Sequence, residues 1–191
     1  MEDKKIKIMK ELVVEIQKYF KNFFLAGGTA LMFKYNHRFS EDLDFLSIKH
    51  FSFSRLSMKI RNYFDISKEE RFEDNIDFFI KDIKVSFIYF PFKNIKRLDY
   101  IENIKIASDY DIFLNKIYAS GREIESKDVI DFAFLYDKYR WNIEKVKKDF
   151  EIKFPNQSFE LYFGAILSIE DYPNLDEKTI KIIEEIKNKL I

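Results

Sequence analysis

Apolar side chains recur at helical spacing at both ends of this 191-residue chain and alternate, strand-like, in much of the stretch between. Over residues 4–20, Ile8, Leu12, Ile16 and Tyr19 fall on one face, which predicts an opening amphipathic helix. Residues 23–26 form a short apolar strand that Gly27 and Gly28 interrupt, and Thr29 is placed to cap a short helix running to Tyr35. Residues 43–48 read as a buried strand, and residues 53–64 as a helix with Leu56, Ile60 and Tyr63 on one side. Residues 76–80 and the alternating Val85, Phe87 and Tyr89 then predict two strands joined by a turn at Lys81 and Asp82.

From about residue 108 the period is helical throughout. Ser108 and Asp111 have capping-box spacing ahead of a helix containing Phe113, Leu114, Ile117 and Tyr118. Further helices are predicted over 127–139, 142–150, 157–168 and 176–190, the last with Ile180, Ile183, Ile186 and Leu190 on one stripe. The expected fold is α+β: a mixed α/β core over residues 1–100 and a helical region over 101–191 packed against it as one compact unit. A cleft between two such halves is a natural ligand site.

Composition and charge narrow the chemistry. A chain that is 47% hydrophobic can bury a sizeable core, and 33 basic against 33 acidic residues leave no global field to attract nucleic acid, so any such contact is local. The basic stretches 93–97 and 145–148 are the local candidates, and solvated surface explains each more simply. The absence of cysteine excludes disulfides, zinc–thiolate sites and thiol nucleophiles, and two histidines, His37 and His50, are too few for a histidine metal site. No signal-peptide core or spanning segment is visible, which predicts a cytoplasmic protein without a membrane partner.

Two short segments carry the strongest chemical signal. Gly27 and Gly28 stand at a strand-to-helix junction, where a missing Cβ lets backbone approach a ligand and the helix N-terminus favours phosphate. No Gly-Lys-Ser/Thr follows, so this is not a Walker loop. Asp42 and Asp44 alternate at the start of a strand and emerge on the same face. At a separation of roughly 4 Å and an effective dielectric near 20, two such charges repel by about 4 kcal/mol, and a divalent cation relieves that repulsion. Magnesium suits such a pair, with substrate phosphates and waters completing its shell. Arg38 and Ser40, just upstream, could bind phosphate; His37 and Glu41 make weaker cases.

In the helical half, Asp131 interrupts an apolar run and needs a cation, for which Lys127 and Lys116 are the candidates. A buried ion pair between helices and a nucleotide-binding role remain alternatives for these residues. Lys127 and Asp128 could equally be ordinary first-turn residues. Asp109 and Asp111 also alternate, but helical spacing separates their faces and capping explains them.

The blocks Leu25-Ala26-Gly27-Gly28-Thr29-Ala30-Leu31 and His37-Arg38-Phe39-Ser40-Glu41-Asp42-Leu43-Asp44-Phe45, followed by Lys116, Arg122 and Lys127-Asp128-Val129-Ile130-Asp131, resemble the AbiEii/AbiGii toxin family of nucleotidyltransferases, within the polymerase-β-like superfamily. The resemblance covers residues 20–140. It implies a small mixed sheet flanked by helices, a helical C-terminal region, and binding of a nucleoside triphosphate with Mg2+ or Mn2+. It also implies transfer of a nucleoside monophosphate to an RNA, such as tRNA, or to a protein hydroxyl, by the toxin of a toxin–antitoxin or abortive-infection system with a cognate antitoxin. Under it, Gly27, Gly28 and Thr29 hold phosphate, Asp42 and Asp44 bind metal, and Lys116 and Asp131 complete the nucleotide site, with Arg38, Ser40 and Lys127 assisting. One departure stands out: Ser86 occupies the position where many superfamily members carry a third carboxylate. Either Asp77 or Asp82 takes its place, or one metal suffices, or the chain is a non-catalytic nucleotide-binding module.

Overall fold

The computed structural model describes residues 2–122 and 125–190, and it divides into two compact units. Unit 1 comprises residues 1–93 and 97–107, and unit 2 residues 94–96 and 108–191.

Unit 1 is a seven-stranded mixed sheet with helices. Helix α1 (Glu2–Tyr19) leads to β1 (Phe24–Ala26), α2 (Gly27–Tyr35), β2 (Leu43–Ser47) and α3 (Phe53–Arg61). Strands β3 (Lys68–Arg71), β4 (Asn75–Ile80), β5 (Ile83–Tyr89), β6 (Asp99–Ile101) and β7 (Ile104–Ile106) follow. Their order across the sheet is β3-β4-β5-β2-β1-β7-β6. The β2/β5 and β1/β7 pairs are parallel; the others are antiparallel.

Alternation on the central strands assigns the two faces different tasks. Leu43 and Phe45 of β2, Val85 and Phe87 of β5, and Ile76, Phe78 and Ile80 of β4 are all buried. Phe87 anchors this layer, stacking on Phe45 and meeting Phe20, Phe23 and Phe78. Asp44, Lys84, Ser86, Asn75 and Asp77 occupy the alternate positions and so share the other face.

The central strands and helices follow the hydrophobic pattern, with several corrections. Helix α1 buries Met9, Leu12, Val13 and Ile16, so Leu12 and Ile16 lie on the buried face as expected while Ile8 and Tyr19 are only half-buried. Helix α3 stops at Arg61, and Tyr63, expected on its buried face, is exposed and stacks on Tyr19. Strands β3, β6 and β7 were not expected. Their residues Lys-Glu-Glu-Arg, Asp-Tyr-Ile and Ile-Lys-Ile are too charged or too short to announce themselves. Lys81 and Asp82, at φ of 51° and 60°, form the two-residue turn expected between β4 and β5.

Glu69 fastens edge strand β3 to α3. It accepts hydrogen bonds from Ser57 and Arg61 of α3 and from Arg71 of its own strand. Desolvation alone would raise its pKa, but these donors prevail and hold it at about 2. A carboxylate depressed in the folded state stabilises above its unfolded pKa, and that contribution fades as pH falls toward 2. Wild type is therefore expected to lose stability between about pH 4.5 and 2 more steeply than Glu69→Gln, as read from urea midpoints at stepped pH.

Unit 2 contains α4 (Asp109–Ser120), α5 (Ser126–Tyr139), α6 (Ile143–Lys153), α7 (Phe159–Leu167) and α8 (Glu177–Leu190). Ser108 Oγ accepts from the Asp111 N–H at 3.0 Å, as its spacing anticipates. Asp111 is fully buried, accepting also from the N–H groups of Ile95 and Lys96 and from Lys153 Nζ at 2.6 Å. Helix α8 buries Thr179, Ile182, Ile183 and Ile186; Ile180 is half-buried, and the Leu190 side chain lies outside the described residues. No helix among the described residues is long and apolar enough to cross a membrane.

Candidate active site

Antiparallel pairing of β1 with β2 closes the gap between the two chemical segments of unit 1. Ala26 is the register partner of Asp44, so the glycine turn that leaves β1 begins beside the acidic pair that enters β2. Gly27 has φ of +70°, a conformation that costs an L side chain about 1–2 kcal/mol. An ideal Cβ at Gly27 would stand 3.0 Å from Asp44 Oδ2. A glycine is thus required twice over, by the backbone and by the carboxylate it faces. Gly27→Ala is expected to weaken binding of a manganese–nucleotide probe by about tenfold or more while the chain stays folded. Fluorescent-nucleotide titration alongside thermal unfolding checks this.

Helix α2 starts at Gly27, three residues earlier than expected, with Ala26 at its N-cap and no side chain capping it. Thr29 is buried within the helix, so it does not cap as predicted. Its hydroxyl donates to the Asp42 carbonyl at 2.5 Å and shares a 2.9 Å hydrogen bond with Ser40 Oγ. This ties the loop before β2 to the first turn of α2. Ser40 is held further by a contact from its N–H to Met32 Sδ at 3.3 Å, and Arg38 donates to the Phe39 carbonyl at 3.0 Å.

Register extends the polar row across the sheet. Asp44 pairs with Ser86 on β5, and Ser86 pairs with Asp77 on β4. Asp77 is buried, accepting from Asn75 Nδ2 at 2.7 Å and lying 3.3 Å from Lys84 Nζ. Burial by itself would lower the pKa of the Lys84 ammonium, but Asp77, with Asp42 and Asp44 behind it, raises it overall. No group of three or more acidic or imidazole side chains that could hold a metal ion forms among the described residues. Asp77 and Asp82 therefore do not complete a three-carboxylate cluster with Asp42 and Asp44. Asp77 is one strand farther out, and Asp82 is in the hairpin turn.

In unit 2, Lys116 is buried between two carboxylates, 2.6 Å from Asp128 Oδ1 and 2.7 Å from Asp131 Oδ2. Desolvation opposes its charge, but Asp131 and Asp128 outweigh it and raise its pKa. Of the two cations expected near Asp131, Lys116 is in place 2.7 Å from it, and Lys127 is exposed and lies 2.8 Å from Glu125. Asp128, read from the sequence as an ordinary first-turn residue, joins because its three-residue spacing from Asp131 aligns both on one helix face.

An uncharacterized protein of Aquifex aeolicus, aq_aa25, is 29% identical over 178 residues, covering 88% of this chain and 86% of the other. Among solved structures, a presumed nucleotidyltransferase from H. pylori aligns over 100% of this chain and 97% of its own, with a TM-score of 0.57 and 23% identity. JHP933 from Helicobacter pylori aligns over 96% and 90%, with a TM-score of 0.55 and 24% identity. MenT4, a nucleotidyltransferase toxin from Mycobacterium tuberculosis, aligns over 93% and 75%, with a TM-score of 0.51 and 11% identity. At these identities the structural likeness establishes a nucleotidyltransferase-like fold. The model of the nucleotidyl transferase AbiEii toxin of type IV toxin–antitoxin systems matches residues 11–188, through both units, and the chain belongs to that family.

Proposed function

We propose that this chain binds a nucleoside triphosphate with one divalent cation, magnesium or manganese, at Gly27, Gly28, Asp42 and Asp44, and transfers its nucleoside monophosphate to a hydroxyl of an RNA, such as tRNA, or of a protein. The observation that carries the reading is the juxtaposition of Gly27 with Asp44, which brings a helix N-terminus without a side-chain cap against a carboxylate. Phosphate favours the first and a hard cation the second. Two carboxylates are a sufficient protein share for magnesium, whose remaining positions go to waters and substrate phosphates. When bound, the cation would neutralise charge on the triphosphate and on the departing pyrophosphate.

The chain's own groups divide the remaining work. The first turn of α2 directs N–H groups and its positive dipole end toward phosphate oxygens, and Gly27 allows the backbone to approach. Thr29 spends its hydroxyl on the Asp42 carbonyl, so its contribution to phosphate is its backbone N–H; its side chain keeps the acidic loop in register. Arg38 and Ser40 belong to that same loop and serve the phosphates from it. In unit 2, Lys116 is held between Asp128 and Asp131 as a charged cluster of fixed position, and Lys127 is exposed. In the reaction the acceptor hydroxyl oxygen bonds to the α-phosphorus and gives up its proton to water, the α–β bridging P–O bond breaks and pyrophosphate leaves.

Ser86 favours a second reading, a nucleotide-binding module without turnover, because a hydroxyl is a poor metal ligand and a poor base near neutral pH. The deciding experiment supplies each labelled nucleoside triphosphate, with magnesium or manganese, to the protein in the presence of total RNA and cell lysate. Covalent label in RNA or protein is the expected result. Saturable nucleotide binding with no label transferred would favour the module. As the toxin of its system, the active chain is further expected to arrest growth when expressed without a cognate antitoxin.

A further inference from the structure

The sheet register puts a cation of the chain's own beside the acidic pair. Strands β2 and β5 run parallel with Leu43 opposite Val85 and Asp44 opposite Ser86. Two residues before Asp44 and Ser86 stand Asp42, in the loop that enters β2, and Lys84 on β5, which shares the face of Ser86. The carboxylate that a second metal would need is absent at Ser86, and the nearest acid beyond it, Asp77, is engaged by Asn75 and by Lys84 Nζ at 3.3 Å. The ammonium is half-buried, lies 3.3 Å from Asp77, and has its charge favoured by Asp77, Asp42 and Asp44 together.

We propose that the Lys84 ammonium takes the electrostatic place of a second divalent cation, so that this chain works with a single bound metal and Lys84 is a positioning residue of the site. Ser86 and Lys84 are then parts of one arrangement. With a carboxylate at position 86, a second metal and Lys84 would compete for the same negative charge. With serine there, the lysine neutralises what remains and keeps Asp77 from leaving an unpaired charge in the sheet. The proposal rests on Asp42 and Asp44 being the metal pair.

The test reads metal binding without nucleotide or turnover. Free Mn2+ is followed by electron paramagnetic resonance during titration of wild type, Lys84→Gln, Lys84→Arg and Asp44→Asn. Removing one positive charge roughly 6 Å from a divalent ion, at a water-like dielectric, is worth about tenfold in affinity. Lys84→Gln is therefore expected to bind Mn2+ about tenfold more tightly than wild type, with the difference shrinking in high salt, and Lys84→Arg to bind as wild type does. A lysine whose charge does not bear on the acidic pair would leave metal affinity unchanged when replaced. Unchanged or weaker binding by a folded Lys84→Gln overturns the assignment while leaving the Asp42/Asp44 site standing. Asp44→Asn binding Mn2+ as tightly as wild type overturns the site beneath it. If Lys84→Gln fails to fold, the decision passes to metal stoichiometry in a variant that keeps the lysine. A second readout is stoichiometry: Ser86→Asp alone is expected to keep one Mn2+ per chain and Ser86→Asp/Lys84→Gln to bind two. Two ions in Ser86→Asp alone would overturn the proposal.

Discussion

Asp44→Asn is expected to reduce label transfer by about 10³-fold, the factor that corresponds to several kcal/mol of lost charge stabilisation at a triphosphate. The change is nearly isosteric and leaves room for the Gly27 turn, whose ideal Cβ lies 3.0 Å from Oδ2. Asp44 is also only half-buried, so the fold has little to lose. A midpoint of thermal unfolding close to wild type, with transfer gone in single-turnover assays, is the predicted combination. Full transfer by Asp44→Asn would remove Asp44 from the reaction. Loss of transfer together with a large fall in stability would reassign it as a structural residue.

Lys116→Met is expected to act in the opposite sense, on stability first. It removes an ammonium from between Asp128 and Asp131, 2.6 and 2.7 Å away, and Asp131 is fully buried. Breaking a buried ion pair from one side costs about 3–5 kcal/mol because the orphaned charge has no water to turn to. Surface pairs such as Lys127–Glu125, by contrast, contribute about 0–1 kcal/mol. Urea unfolding should reveal the difference directly. Lys116→Met/Asp128→Asn/Asp131→Asn, which removes all three charges, should recover most of the loss. If the single change costs less than about 1 kcal/mol, water reaches these groups and the triad is not a structural core.

Much of the candidate site could be read from the chain because its residues violate local habit. Paired glycines at a strand end and alternating aspartates beside Leu43 and Phe45 are conspicuous against a background of apolar periodicity. Their adjacency is a consequence of β1–β2 pairing, which the short apolar runs do not by themselves reveal. Less visible were features set by tertiary context. Strand β3 has no apolar alternation and exists because its backbone completes the edge of β4 while Glu69 binds α3. Thr29 looked like a cap because helix propensity alone does not reveal that the Asp42 carbonyl will be within reach of its hydroxyl. Lys153, in a strongly charged helix, gives no local sign that it will be buried against Asp111. Lys84 is likewise one lysine among many until the parallel register of β2 and β5 sets it beside the acids.

The hydrogen bond from Thr29 to the Asp42 carbonyl has a thermodynamic consequence. It joins the turn that would receive phosphate to the loop that would receive the cation, so ordering one orders the other. Two ligands that each favour the same ordered arrangement bind with positive cooperativity, and the coupling is reciprocal: metal sharpens affinity for nucleotide by the same factor that nucleotide sharpens affinity for metal. Thr29→Val would cut that link while leaving every charge in position, turning a cooperative pair of binding events into two independent ones.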